Sequence, residues 1–134
     1  MYLSERIPEE LIDKIKSYVI FLPKTNEELK RAVELWSSDK KQAHKLYGYI
    51  SLWNTQNITN MSHLFDFDKN FNSVISSWNV SNVVNMSYMF CNSISFNQPL
   101  NNWDVSNVEN MKMMFMGTNS LTNLPEWYNI NLCL

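Results

Sequence analysis

Glycine and proline are scarce in this chain, two and four among 134 residues. A phosphate-cradling loop needs clustered glycines so that backbone N–H groups can approach the anion, and Gly48 and Gly117 stand alone. Histidine and cysteine are equally few. His44 sits among Lys40, Lys41 and Lys45 and reads as a solvated residue. His63 has no cysteine or histidine close by in sequence, and Cys91 and Cys133 form no CxxC or zinc spacing. The two thiols read as free cysteines of a reducing compartment, with a disulfide between them as the lesser alternative. Asp66-Phe67-Asp68 offers two carboxylates on one loop without the further oxygen ligands a divalent cation takes. No Gly-x-Ser-x-Gly elbow occurs. No catalytic constellation, cofactor site or metal site is therefore expected, and the chain is not expected to be an enzyme. Long apolar runs are missing too. None approaches the ~18 residues of a membrane span, and the charged stretch from Ser4 to Lys16 is unlike the apolar core of a secretion signal. The reading is an intracellular protein without membrane contacts. A net charge of −2 gives no electrostatic case for nucleic acid.

Asparagine is what the chain has in quantity, with 19 residues, and it takes over the turn chemistry that glycine and proline do not supply. Charge is unevenly placed: residues 1–46 hold 17 of the 24 charged side chains. A charged leading segment thus gives way near Gly48 to an uncharged, aromatic and Met-rich array. Within the leading segment, residues 7–19 have a helical stripe of Leu11, Ile12, Ile15, Tyr18 and Val19, with Pro8 suited to the first helical position. A second helix starts at Thr25 or Asn26, with Glu28 completing a capping box and Leu29, Ala32, Val33 and Trp36 inward. A third starts at Asp39, turns Ala43, Leu46 and Tyr47 inward, and ends at Gly48. Tyr49 to Trp53 reads as the first strand.

The array is a repeat. Trp53, Trp78 and Trp103 are 25 residues apart, and Trp127 follows after 24. A constant period of this size marks stacked repeats that bury their apolar faces only against neighbours. Some columns are apolar in every copy: Trp53/Trp78/Trp103, Ile58/Val83/Val108, Met61/Met86/Met111, Leu64/Met89/Met114 and Phe65/Phe90/Phe115, then Phe71/Phe96/Leu121 and Ile75/Leu100/Leu124. These are the expected core. Val108, Met111, Met114 and Phe115 have the spacing of one helical face. A second class of column is amide: Asn57/Asn82/Asn107 and Asn60/Asn85/Asn110, with Asn54/Asn79/Asp104 beside them. Side-chain amides both donate and accept, so they are expected to bond to one another along the stack at ~4.8 Å spacing, or to the turn backbone. A third class varies, as in Thr59/Val84/Glu109 and His63/Tyr88/Met113. These are the candidate partner-binding residues, because aromatic and Met side chains are common interface anchors.

The run Trp-Asn/Asp-Val-Ser-Asn-Val-x-Asn-Met-x-x-Met-Phe, followed by Phe96-Asn97-Gln98-Pro99-Leu100-Asn101-Asn102-Trp103, resembles the BspA-like leucine-rich repeat of the DUF285 type, over roughly residues 50–134. The segment from Glu27 to Trp53 is similar to the lead-in that precedes such repeats. The resemblance implies a repeat domain used for protein contacts, without catalysis. Such proteins are found on bacterial surfaces, in protists and in giant DNA viruses, and the Asn-rich composition would suit a giant-virus component. Residues 7–19 resemble the first helix of an F-box, which would imply docking of a Skp1-like ubiquitin-ligase subunit.

The expected architecture is α/β: a short right-handed leucine-rich-repeat-like solenoid of 25-residue coils, with short parallel strands and short helices. Residues 1–49 are its helical cap, and residues 50–134 form three coils and a partial fourth. The expected function is a non-enzymatic protein-binding module or scaffold, with self-association possible through the C-terminal coil.

Overall fold

A computed structural model of the chain describes residues 8–11, 14 and 19–128. Residues 9–11 are helical, and the Leu11 N–H bonds to the Pro8 carbonyl at 2.9 Å. The rest of the predicted first helix, including Ile12, Ile15 and Tyr18, lies outside the described residues. So do Ile130, Leu132 and Cys133 at the other end.

Helix α1 (Asn26–Ser38) begins where the sequence places a cap. Thr25 is extended at φ −134°, and its hydroxyl accepts the Glu28 N–H at 3.1 Å. The Glu28 carboxylate reaches back one residue further than a capping box requires, to the Lys24 N–H at 2.7 Å. Leu29, Ala32, Val33 and Trp36 form the buried stripe. Asp39 closes α1 and opens α2 (Lys40–Tyr47). Its N–H bonds to Leu35 O at 2.7 Å, and its carboxylate accepts the Gln42 N–H at 3.0 Å. Gly48, at φ 72°, ends α2. Only Ala43 of α2 is buried. Leu46, expected inward, is exposed, and half-buried Tyr47 turns to Phe21 at a ring distance of 4.5 Å.

The repeats contradict the expected α/β solenoid. Tyr49 to Trp53 is not a strand but contains a 3-10 turn over Ile50–Leu52. Among the described residues no strand forms, only isolated parallel bridges joining Asn60 to Asn85 and Asn85 to Asn110. The repeats contain no helix either. The reason lies in how backbone donors alternate. The N–H groups of Met61, His63, Phe65 and Phe67 donate to Asn85, Ser87, Met89 and Cys91 of the next repeat at 2.8, 3.0, 2.9 and 2.8 Å. Those of Leu64, Asp66 and Asp68 close local turns onto Met61, His63 and Phe65 at 3.3, 3.3 and 3.1 Å. A helix directs its donors to its own chain, and a strand directs them to neighbours. This segment does each by turns and is therefore neither.

Asparagine supports the turns, but not as a chain of amides bonding to one another. The side chains of Asn60, Asn85 and Asn110 accept the N–H two residues on, at 2.8, 2.9 and 2.9 Å. Asn54, Asn79 and Asp104 do the same at the start of the repeat. The Ser106 hydroxyl, then its N–H, holds the exposed Asp104 carboxylate below its ordinary range. Asn82 and Asn107 instead donate backwards, to the carbonyls of Gln56 and Ser81 at 2.7 and 2.6 Å. A turn carbonyl with an unused lone pair outcompetes a neighbouring amide.

The core consists of side-chain columns in register. Phe65, Phe90 and Phe115 stack at 5.4 and 5.6 Å, with planes within 12°. Phe71 and Phe96 form a parallel column beside them, 3.8 and 4.2 Å from Phe65 and Phe90. Each indole N–H reaches back a whole repeat: Trp78 to Ile50 O at 2.8 Å, Trp103 to Ile75 O at 3.1 Å, Trp127 to Leu100 O at 2.7 Å. Trp53 has no repeat before it. Its N–H bonds to Gly48 O at 3.3 Å, and its ring meets Phe21, Trp36 and Tyr47 edge-on at 5.3, 5.9 and 5.9 Å. Ile58, Met61, Met86, Met89 and Val83 are fully buried, with Met111 and Met114 beside them. Leu124, placed by its column in the core, is exposed, and Pro125 is buried instead.

Trp78→Ala removes a buried indole and leaves the Ile50 carbonyl without its donor. It is expected to cost ~3–5 kcal/mol, read as a fall in the chemical-denaturation midpoint. An unchanged midpoint would show that the indole column is not structural.

Candidate interaction surface

Each repeat turns two corners in left-handed backbone. The turn from Met61 to Leu64 has His63 as its third residue, at φ 59°, and the turn from Phe65 to Asp68 has Phe67, also at φ 59°. One repeat on, the same positions hold Tyr88 and Asn92, both at φ 57°. A further repeat on, they hold Met113 at 53° and Gly117 at 71°. A positive φ at the third position belongs to type II turn geometry, which favours Gly or Asn. Repeats two and three obey that preference at the second corner. Gly117 has little choice, since a Cβ there would lie 2.3 Å from the Asn92 side-chain oxygen. His63, Phe67, Tyr88 and Met113 go against the preference. All four are large, Tyr88 is partly exposed and the other three are exposed.

The first corner column makes a surface stack. The His63 and Tyr88 rings lie 4.7 Å apart with planes 5° from parallel, and Met113 occupies the next position along. Nδ1 of His63 meets Oδ2 of Asp66 at 2.7 Å. Thr59, Val84 and Glu109, the other variable column, are exposed. Their neighbours in the chain are held by a repeated motif: the Thr59 carbonyl accepts the N–H groups of Val84 and Asn85, and the Val84 carbonyl those of Glu109 and Asn110. For the first repeat, a side chain stands in for that carbonyl. Oδ1 of Asn26 in α1 accepts the N–H groups of Thr59 and Asn60 at 3.1 and 3.2 Å.

A groove of about 520 Å³ separates α1 from the first repeat, with Lys30, Glu34 and Ser37 on one wall and His63, Asp66 and Phe67 on the other. At one end the Ser37 hydroxyl bonds to the Asp68 carboxylate. Cys91, one repeat beyond Asp66, is a free, buried thiol. Burial, then the negative charge of Asp66, then a hydrogen bond to it, push that thiol above its ordinary pKa. Cys91, Asp66 and His63 are thus neighbours in the wrong order for nucleophilic catalysis. The carboxylate, not the imidazole, lies next to the thiol, and a thiol held protonated is a poor nucleophile. Among the described residues no group of three His, Cys, Asp or Glu side chains could hold a metal ion. His44, read from sequence as solvated, is half-buried and packs on Tyr49 at a ring distance of 4.2 Å. No helix of the described residues is long and apolar enough to cross a membrane.

The left-handed corners were not identified from the sequence. The signal that could have found them is the column Phe67/Asn92/Gly117, in which Asn and Gly share a position as left-handed turns require.

Residues 32–132 match a protein-family model described as "Mycoplasma protein of unknown function, DUF285". No curated protein and no solved structure matches the chain.

Phe67→Asn gives the first repeat the residue that the second repeat has there. It is expected to raise stability by up to ~1 kcal/mol, because Asn tolerates left-handed backbone better than Phe does. A thermal melt checks this, and a lower melting temperature would mean that Phe67 packs usefully. In a Cys133→Ser background, Cys91 is expected to resist iodoacetamide at pH 8 in native protein and to react once the chain is unfolded. Its thiol is also expected to make stability fall as pH rises above ~8.5, where the unfolded thiol releases its proton first.

Proposed function

We propose that this chain, which belongs to the DUF285 family, is a non-enzymatic protein-binding module whose contact surface is the corner columns His63/Tyr88/Met113 and Phe67. The observation that carries this reading is the set of large side chains held in left-handed backbone on the surface. Such positions cost about 1–2 kcal/mol each in residues other than Gly, Asn or Asp, and none of the four is fully buried in return. Aromatic and Met side chains on a fixed frame give contact area at little entropic cost. The variable column Thr59/Val84/Glu109 extends the proposed surface.

A second reading, an F-box-like adaptor, places a Skp1-like subunit on residues 7–19. It is favoured by Leu11 and Val19, two members of the predicted apolar stripe, which are exposed rather than packed on the repeats. Deleting residues 1–24 is then expected to abolish recovery of a Skp1-type protein, and unchanged recovery, or none from the full chain, would remove this reading.

The corner reading is tested by a His63→Asn, Tyr88→Asn, Met113→Asn variant. Its melting temperature is expected to equal or exceed that of the parent, while proteins cross-linked to the parent chain in cells are lost. Retention of the same cross-linked proteins by a folded variant would place the contact surface elsewhere.

A further inference from the structure

Backbone hydrogen bonds between repeats run one way. The second repeat repeats what the first does: Met86, Tyr88, Phe90 and Asn92 donate to Asn110, Lys112, Met114 and Met116 at 2.8, 2.8, 3.0 and 2.7 Å. The equivalent N–H groups of the third repeat belong to Met111, Met113, Phe115 and Gly117, and none has an acceptor among the described residues. Apolar side chains flank this edge. Met113, Met116 and Leu124 are exposed, and half-buried Phe115 is met by Tyr128 edge-on at 5.0 Å. The opposite edge is the complement. The carbonyls of Asn60, Ser62, Leu64 and Asp66 accept nothing from the described residues, and α1 runs beside them, fixed by Asn26 at one end and Ser37 at the other.

We infer that the edge formed by Met111, Met113, Phe115 and Gly117 docks an acceptor segment of a partner protein, one that offers a carbonyl at every second residue and carries the Met-x-x-Leu-Phe pattern of the repeat. The chemistry of the edge selects this occupant. Two copies of the chain cannot join through this edge alone, because donors would face donors. The acceptor edge of a second copy is flanked by its own α1. A segment carrying apolar residues at the positions of Met61, Leu64 and Phe65 continues the Met111, Met114 and Phe115 columns in the register that already joins the repeats. Main-chain bonds supply affinity and the apolar columns supply specificity, as in other additions to an open edge. The inference is separate from the corner surface, since it rests on backbone groups and on the end of the stack.

The probe is a synthetic peptide with the sequence of residues 60–67, Asn-Met-Ser-His-Leu-Phe-Asp-Phe, added to the full chain while amide hydrogen exchange is followed residue by residue. In the free chain, the amides of Met111, Met113, Phe115 and Gly117 are expected to exchange faster than those of Met86, Tyr88, Phe90 and Asn92. Millimolar peptide is expected to slow the first four by about tenfold or more, and a scrambled peptide is expected to leave them unchanged. The Tyr88→Asn variant is expected to respond to the peptide as the parent does, which separates this edge from the corners. The inference is overturned if the peptide slows none of the four, if the scrambled peptide works equally well, or if the four slow with protein concentration alone. That last result would make a second copy the occupant.

Discussion

The structure depends on a division of labour among backbone N–H groups. In each repeat, alternate donors leave for the next repeat and the intervening ones close turns on their own chain. Buried amides must be paired, and this alternation pairs them without regular secondary structure. It also fixes the register. A donor at one position always meets a carbonyl 24 residues on, so equivalent side chains fall into columns. The Phe stacks and the back-reaching Trp N–H groups follow from that register. Substituting a core residue therefore disturbs the contact with both neighbouring repeats, since neither face of a repeat is covered by anything else.

A stack of this kind has a problem at its first member, and the leading segment answers it with unlike chemistry. The α1 helix cannot present main-chain groups sideways, so Asn26 lends a side-chain oxygen where later repeats use a carbonyl. Phe21, Trp36 and Tyr47 surround the first indole where later repeats place another. The substitution is incomplete. Helix α1 covers the apolar core but leaves the main-chain carbonyls from Asn60 to Asp66 facing a groove.

Much of this was legible from spacing. The 25-residue period, the columns that fill the core and the α1 cap at Thr25 depend on side-chain pattern, and pattern is what a sequence displays directly. The conformation of the repeat did not follow. Val108, Met111, Met114 and Phe115 have helical spacing, yet a chain of turns brings the same residues to one side. Apolar period alone cannot distinguish these cases. The decisive information was at Phe67, Asn92 and Gly117, where a left-handed position tolerates a large residue once and then takes its preferred types. The amide columns were misread for a related reason. Their constancy was visible, but whether an Asn bonds to its neighbour's amide or to a turn carbonyl depends on backbone geometry that only the fold provides. Leu46 and Leu124 were assigned inward on periodicity and lie outside because the elements that carry them end before they can pack.

The one-way backbone bonds also give the stack an electrical sense. Peptide dipoles aligned along successive N–H to carbonyl contacts add, as they do along a helix axis, so partial positive charge gathers where donors are unmet and partial negative charge where carbonyls are. The third repeat is then the positive pole and the first repeat the negative one. Lys30 and Lys69 both line the groove at the first repeat, where a cation meets the negative pole favourably. A fold assembled entirely from turns can thus be polarised from end to end, with its termini distinguished by field as well as by shape.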